Sequence, residues 1–471
     1  MYEIKFAKRS FLLMGSSVFK MITQLVIIFL YARNLSFEDY GLYQSVWLYI
    51  NVASIISLFG LPALILSSPA TAITGWIKEN KKYFLFFFGL LNFIPLVYIL
   101  LAVTEYNFTT RVLLIILTAV QNIAILIETA AIKKEKEKLV LTTNLIFTAG
   151  YILCHLIILY ANYSLQLLLT ALIFIFIIKA ALQYYFTRDV ATDKFTILPK
   201  QLNRQWLYLG LNDVAGVIFK WLDKWVILYF ISVTQFAIYF NGSYEIPVFG
   251  LMLSAAGSVM LVEMSRQNTA IAEKAKTLFK SSSLLLSSIV FPSFCFLFFY
   301  HSEFFTLIFS AKYTAAIPVF LISIFILPVR ITNYTAVLQV YNRTDLILKG
   351  AVLDLIVAIV LMIILYPLLQ LKGLALAFVL STYIQAGYYL WHTGKLIDKK
   401  INYFFPFKNL IFIMSVSILV TGIGYFISRN FSTVVNLSSG IIVCLFVILT
   451  LLYNFYRTNK KEVTFKTADQ N

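Results

Sequence analysis

The sequence predicts an all-α polytopic membrane protein with about 14 transmembrane helices: two pseudo-symmetric six-helix lobes plus two C-terminal helices, with both termini cytoplasmic. Three observations predict it. Of the 471 residues, 61% are hydrophobic and 13% are charged, against about 45–50% and ~25% in a soluble domain. Apolar segments of about 20 residues, enough to cross a bilayer, recur along the chain. A short polar motif also occurs twice.

The first apolar segment follows a basic N-terminus and is predicted to be a retained span, because no small-residue cleavage site follows it. The predicted spans cover, approximately, residues 11–31, 40–65, 83–103, 112–132, 139–160, 165–186, 207–230, 236–262, 279–300, 315–340, 346–369, 373–394, 409–427 and 437–456. The loops between them are short. An ATP-driven pump or an enzyme with a soluble catalytic domain is therefore disfavoured, and no Walker-type phosphate loop occurs.

The positions of lysine and arginine orient this map. With the N-terminus inside, the cytoplasmic segments hold 28 Lys and Arg residues and the outer segments hold five. Every cytoplasmic segment is basic, as the positive-inside rule requires. One missed or invented span would invert the pattern downstream, so the even number of spans is supported. The net charge of +17 is explained by orientation, and no nucleic-acid partner is expected.

Metal or cofactor chemistry is not expected from this composition. The three cysteines, Cys154, Cys295 and Cys444, lie in apolar runs, and the three histidines are widely scattered. Neither set has the spacing of a metal site or a disulfide framework. We therefore predict no metal, no cofactor and no enzymatic centre.

The repeated motif is LSFEDYGLY at residues 35–43, matched by ISVTQFAIY at residues 231–239. Each copy predicts a helix start, with Ser36 or Ser232 as the N-cap and an acid or amide three residues later. An apolar residue before the cap and an aromatic residue after it complete a hydrophobic staple. We interpret the motif as structural, and its residues are Arg33, Ser36, Tyr40, Gly41, Tyr43, Ser232, Phe236, Ala237 and Tyr239.

The repeat also predicts the domain organisation. Residues 1–190 would form an N-terminal six-helix lobe and residues 200–396 a C-terminal one, followed by two further spans within 405–460 and a cytoplasmic tail at 461–471. Two halves with the same orientation are a recurrent transporter plan, with a binding site between them.

A family resemblance is carried by the same residues. Arg33, Leu35-Ser36, Glu38, Tyr40-Gly41 and Tyr43 together resemble the first-loop signature of bacterial polysaccharide flippases, the O-antigen and capsule repeat-unit transporters. Leu222-Asp223-Lys224, ahead of Ile231-Ser232, resembles that family's Asp-basic motif. The family commonly has Gly-Pro-Glu where this chain has Ser36-Phe37-Glu38. The resemblance extends to the superfamily of multidrug, oligosaccharidyl-lipid and polysaccharide transporters, which also contains lipid II flippases.

The resemblance implies a substrate, partners and a location. The substrate would be a polyprenyl diphosphate carrying an oligosaccharide, and the chain would work among the lipids of the bacterial cytoplasmic membrane. A gradient of H⁺ or Na⁺ would supply the energy. Contacts with the polysaccharide polymerase machinery would fit the same pathway.

Ionisable residues inside spans are costly and usually functional. The cations Lys20, Lys220, Lys224 and Arg330 are predicted to line a cavity that attracts an anionic substrate. The acids Asp213, Asp223, Glu245 and Asp354 are candidates for ion coupling or charge pairing. For the seventh span, pairing of Asp213 or Asp223 with Lys220 or Lys224 stays open. Lys179 either pairs with a neighbouring acid or extends to the cytoplasmic interface.

Aromatic and proline residues add two weaker expectations. Trp47, Trp206, Trp221, Trp225 and Tyr244 are candidates for stacking on sugar faces, although helix packing and interfacial belts explain most aromatic residues. The prolines at 62, 247 and 328 lie in or beside spans and are expected to kink them.

These observations rank the candidate functions. A flippase for lipid-linked oligosaccharide is favoured. A cation-coupled multidrug exporter or a lipid II flippase of the same superfamily is the alternative, although embedded cations disfavour the binding of cationic drugs. An O-antigen polymerase or ligase is disfavoured because the longest outer loop, near His301 to Thr314, is small.

Overall fold

The computed structural model describes residues 19, 22–67, 70–134, 136–161, 163–187, 199–265, 271–341 and 343–468. All regular secondary structure in these residues is helical. The helices are α1 (Ile22–Asn34), α2 (Phe37–Leu58), α3 (Leu61–Ser67), α4 (Ala70–Glu79), α5 (Lys81–Leu101), α6 (Phe108–Lys133), α7 (Glu137–Tyr160), α8 (Leu165–Thr187), α9 (Pro199–Phe230), α10 (Val233–Gly242), α11 (Pro247–Ser265), α12 (Ile271–Phe299), α13 (His301–Phe309), α14 (Ile317–Ser323), α15 (Ala336–Val340), α16 (Thr344–Leu369), α17 (Leu371–Leu396), α18 (Ile401–Phe404), α19 (Phe407–Ser428) and α20 (Thr433–Ala468).

The chain is a multi-pass membrane protein, as predicted. Eleven helical segments of the described residues are long and apolar enough to cross a bilayer. Helix α1 is the described part of the first predicted span. Helix α9 has 32 residues, about 48 Å at 1.5 Å per residue, which exceeds a hydrocarbon core of about 30 Å. Its charged residues lower its hydropathy, so it falls outside the eleven.

Three predicted spans are interrupted, which corrects their description as single helices. The span predicted at 40–65 breaks at Phe59 and Gly60, which both have positive φ, and α3 follows with Pro62 as its second residue. The span predicted at 236–262 breaks between α10 and α11, where Pro247 begins the new helix. The span predicted at 315–340 is preceded by a 3-10 turn at Ala311–Ala316, which overlaps its first two residues. It contains a second 3-10 turn at Ile324–Val329 and a non-helical stretch after Val329.

The chain divides into two compact units, Met1–Ala237 and Ile238–Asn471. This division does not test the two six-helix lobes predicted from the repeat, and those lobes stay a prediction. In the first unit, α9 packs against α2, α3 and α4. A cluster of buried side chains joins them, including Phe59, Leu64, Trp76 and Trp206. The close approach depends on glycine, because a Cβ on Gly60 would lie 2.5 Å from the backbone nitrogen of Gly210.

Both copies of the repeated motif begin helices as predicted. Ser36 Oγ accepts a hydrogen bond from the Asp39 N–H at 3.0 Å, and Ser232 Oγ accepts one from the Gln235 N–H at 3.1 Å. The Asp39 carboxylate accepts from the Ser36 hydroxyl at 2.7 Å, so it reaches the cap side chain and not the cap amide. Removing such a cap typically costs about 1 kcal/mol.

The second unit is built around α12. Helices α19 and α20, which correspond to the last two predicted spans, both pack against it. Tyr300, fully buried just after α12, contacts the Ser428 hydroxyl at 3.3 Å. Helices α16 and α17 form an antiparallel hairpin that packs against α14. The bundle thus holds the interrupted segments α10–α11 and α14–α15 beside continuous helices.

The two motif copies touch at Gly41, which yields the first prediction. A Cβ at Gly41 would lie 2.6 Å from both the carbonyl oxygen and the Cγ1 of Val233, too close for any side chain. We expect Gly41→Ala to lower the thermal unfolding temperature of the purified protein by several degrees, since overpacking costs about 1–3 kcal/mol. The matched control is Gly89→Ala, where nothing lies within 4 Å. Equal unfolding temperatures for the two variants would contradict the contact.

Candidate functional site

Helix α9 carries the charges that the sequence analysis selected. Asp223 is buried, and its carboxylate lies 3.3 Å from the Lys224 ammonium. Lys220 is exposed, and its Nζ lies 5.6 Å from the centre of the Trp221 ring. No carboxylate of the described residues lies within ion-pair distance of Lys220. Asp213 is half-buried on the same helix. The structure therefore selects the Asp223–Lys224 pair among the pairings that were open and leaves Lys220 accessible.

Lys179 in α8 pairs with an acid, which decides between the two alternatives for that residue. Its Nζ lies 2.6 Å from Glu128 Oε2 of α6, and the two side chains are only 6% and 16% exposed. The other carboxylate oxygen of Glu128 accepts from Asn144 Nδ2 of α7 at 3.1 Å. Lys179 Nζ also lies 5.0 Å from the centre of the Phe147 ring. Three helices are joined at one buried, charge-neutral cluster.

A cavity of about 420 Å³ opens beside this cluster, within the first unit. Its walls come from α1, α2, α6, α7 and α8. One part of the wall is aromatic: Tyr43, Trp47, Phe147, Tyr151 and Phe176. Four side-chain amides also line it: Gln24, Gln44, Asn51 and Gln121. Trp47 and Tyr43 were candidates from the sequence, but their proximity to the other lining residues could not be predicted, because the contributing helices are separated by up to about 150 residues of chain.

In the second unit, Arg330 and Glu245 form a bidentate ion pair. Arg330 Nη1 and Nη2 donate to the two carboxylate oxygens of Glu245 at 3.0 and 2.8 Å. Glu245 lies in the break between α10 and α11, and Arg330 directly follows the 3-10 turn at Ile324–Val329. The pair therefore connects the two interrupted spans. Non-helical backbone at membrane depth is tolerated where it is covered by protein or lines a cavity, so this region is a candidate site.

Asp354 lies in α16, and its carboxylate is largely enclosed. Its Oδ1 is buried and makes no hydrogen bond to the described part of the chain. A buried carboxylate oxygen without a partner is costly, which keeps Asp354 a candidate for ion coupling.

Lys20, the remaining predicted cation, lies outside the described residues. Most motif residues are buried, as a structural role requires. The buried ones are Tyr40, Gly41, Tyr43, Phe236, Ala237 and Tyr239. Arg33 stacks on Phe29, with the guanidinium carbon 4.2 Å from the ring centre.

Among the aromatic candidates, Trp206 belongs to the buried cluster and Trp225 stacks on Tyr98 at 5.5 Å. Tyr244 packs edge-on against Phe309.

Comparison with known proteins identifies the fold. No family model matches the chain, and no curated protein matches it. A solved structure of the lipid II flippase MurJ in an inward closed conformation matches with a TM-score of 0.68 at 16% identity, covering 94% of this chain and 98% of that one. An inward-facing MATE family multidrug resistance transporter of the MOP superfamily matches at 0.56 and 15%, covering 80% and 94%.

An outward-facing MATE family transporter of that superfamily gives a TM-score of 0.53 at 13% identity, covering 84% of this chain and 95% of that one. The chain has the fold of these transporters. At such low identity the similarity establishes the fold and leaves the substrate to the residues of this chain.

The buried Glu128–Lys179 pair yields a second prediction. Lys179→Met leaves a buried carboxylate without its cation, so we expect a loss of about 3–5 kcal/mol in the free energy of unfolding. The double variant Glu128→Gln/Lys179→Met removes both charges and should recover much of that loss. Unfolding of the purified protein in mixed micelles measures both, with exposed Lys372→Met as the control. A double variant less stable than either single variant would contradict the pairing.

The Arg330–Glu245 pair yields a third prediction, tested by exchanging the charges. Arg330→Glu and Glu245→Arg alone each place two like charges together, and each should lower the unfolding temperature. The exchanged pair, carrying both substitutions, should restore part of it. The control is the same exchange at the exposed Arg343–Asp345 pair, where the ion pair at 2.9 Å is worth about 0–1 kcal/mol. Additive losses at Arg330 and Glu245 would show that the pair does not couple the two breaks.

Proposed function

We propose that the chain is a flippase that moves polyprenyl-diphosphate-linked oligosaccharide repeat units across the bacterial cytoplasmic membrane by alternating access. The pathway would be O-antigen, capsular or exopolysaccharide biosynthesis. Two findings support the proposal: the transporter fold, and the motif around Arg33, Ser36 and Tyr40, which resembles that of polysaccharide flippases. Under this proposal the chain is a transporter and not an enzyme.

The observation that carries the proposal is Lys220. It is an exposed ammonium group on the long helix α9, and the carboxylates of the described residues leave it unneutralised. An unneutralised cation at membrane depth is costly and is retained for a role. A diphosphate is the complementary group, because ammonium groups bind phosphoryl oxygens through charge-assisted hydrogen bonds. A cationic drug would be repelled from the same position, which disfavours a multidrug exporter.

Energy coupling is the second part of the proposal. A gradient of H⁺ or Na⁺ would drive the cycle through one of the embedded acids. Asp354 is the acid with a buried, unpartnered oxygen, whereas Asp223 and Glu245 are held in ion pairs. Contacts with polysaccharide polymerase machinery would deliver the translocated substrate directly to the polymerase.

Lipid II translocation is a second candidate, favoured by the similarity to the MurJ structure. The two candidates differ in the lipid that accumulates when the chain is removed. Loss of an oligosaccharide flippase should leave lipid-linked repeat units in the inner leaflet and deplete surface polysaccharide. Loss of a lipid II flippase should instead leave lipid II there and stop peptidoglycan synthesis.

Lys220 yields the fourth prediction. In cells whose surface polysaccharide depends on this chain, Lys220→Glu should lower the exported polysaccharide at least tenfold, because the reversed charge repels the diphosphate. Lys220→Arg keeps the charge and should retain most export. The measurement is surface polysaccharide per cell at equal amounts of chain in the membrane.

The control for that experiment is Lys408→Glu, a charge reversal at an exposed residue at the start of α19. It should leave export unchanged. Lys20→Glu tests the other predicted cation, and its combination with Lys220→Glu should abolish export. Undiminished export in the double variant would rule out a cationic binding site.

A further inference from the structure

We infer that the cavity of the first unit binds the uncharged glycan of the lipid-linked substrate. This inference rests on the proposed function and adds to it a binding site and the chemical class of group held there. The cavity is separate from Lys220 and from the diphosphate chemistry assigned to it. Its volume of about 420 Å³ lies within the range of about 300–1,000 Å³ of small-molecule sites.

The charges of the lining residues favour a neutral ligand. The only ionised side chains among the residues lining this cavity are Glu128 and Lys179, and they neutralise each other at 2.6 Å. The carboxylate is further held by Asn144 at 3.1 Å. An anion or a cation entering the cavity would lose hydration without gaining an opposite charge. A neutral polar ligand meets no such penalty.

The side-chain amides of the cavity favour a ligand that carries hydroxyl groups. Side-chain amides both donate and accept hydrogen bonds, as a saccharide with many hydroxyls requires. Gln121 Oε1 is buried and makes no hydrogen bond within the described protein. An unsatisfied buried acceptor is costly unless a ligand or a bridging water donates to it. Asn51 and Gln24 add amides on the facing helices α2 and α1.

The aromatic side chains favour a ligand that has flat apolar faces in addition to its hydroxyls. Trp47 and Tyr151 lie with ring centroids 6.1 Å apart, and Phe147 lies 5.6 Å from Tyr151. Aromatic rings present large, rigid apolar surfaces with little conformational freedom to lose. A pyranose ring has both an apolar face of C–H groups and an equatorial rim of hydroxyls. A lining that combines rings and amides matches that combination better than it matches an acyl chain, which forms no hydrogen bonds to amides.

The experiment measures protection of a cysteine in the cavity. Ile125 lines the cavity one turn from Gln121, and Ile125→Cys leaves the amides and rings in place. The variant is made in the full chain with Cys154, Cys295 and Cys444 replaced by alanine. Membrane vesicles are prepared from polymerase-deficient cells with or without the initiating sugar-phosphate transferase, so that they contain or lack lipid-linked glycan. Labelling by a small, water-soluble methanethiosulfonate reagent is followed over time.

We expect the glycan to slow labelling of Ile125→Cys at least threefold. The control cysteine, Thr104→Cys in an exposed loop, should react equally in both vesicles. Adding Trp47→Ala or Gln121→Leu should remove the protection, whereas Trp391→Ala, which removes a half-exposed tryptophan elsewhere, should retain it. Elution of each variant as a single species in size-exclusion chromatography separates lost binding from lost folding.

Two further arms separate the outcomes. Polyprenyl diphosphate without sugar is added to the glycan-free vesicles; if it protects as well as the complete substrate, the diphosphate occupies the cavity and the inference is wrong. Export is measured in cells with the chain deleted. If export depends on the chain while labelling is the same with and without glycan, the cavity inference fails and the flippase proposal stands. If export does not depend on the chain, both fail.

Discussion

The absence of water in the bilayer core is the constraint on which the rest of the structure depends. Every backbone N–H and C=O at that depth needs a partner within the protein, so the described regular structure is entirely helical. Where a helix ends, side chains provide the hydrogen-bond partners that the backbone groups lack. After Val329, the Tyr334 hydroxyl donates to the Val329 carbonyl at 2.9 Å, and the Asn333 side chain accepts from the Thr335 N–H at 3.1 Å. The interruption after Val329 is therefore a hydrogen-bonded structure and not a frayed helix end.

The same constraint acts on charge. Two ion pairs among the described residues join separate elements: Lys179 joins α8 to α6, and Arg330 joins two interrupted spans. At the Lys179–Glu128 pair, removing one partner would leave a buried charge. Lys220 differs from these paired residues because no carboxylate of the described residues pairs with it, and under the proposed function it is therefore available to an anionic substrate.

The sequence predicted most of the fold because its signals are local. Apolar length, basic loops and the caps at Ser36 and Ser232 each depend on a few neighbouring residues. The interruptions were signalled only by the prolines at 62, 247 and 328, since φ at Phe59 and Gly60 follows from packing. The pairs Glu128–Lys179 and Glu245–Arg330 join residues 51 and 85 positions apart. No periodicity encodes such contacts, and the cavity that depends on one of them could not be predicted.

If the proposed substrate is part anion and part sugar, neutralisation of Lys179 bears directly on how the chain would hold it. Coulomb attraction extends over many ångströms in a low dielectric, so an unpaired lysine in the cavity would compete with Lys220 for the diphosphate. Pairing it with Glu128 would remove that competition and leave only short-range contacts, which would depend on shape and hydroxyl geometry. Weak, short-range contacts would also suit the proposed transport cycle, in which a bound substrate must be released. Charge would then attract the carrier lipid, and the neutral cavity would discriminate between glycans.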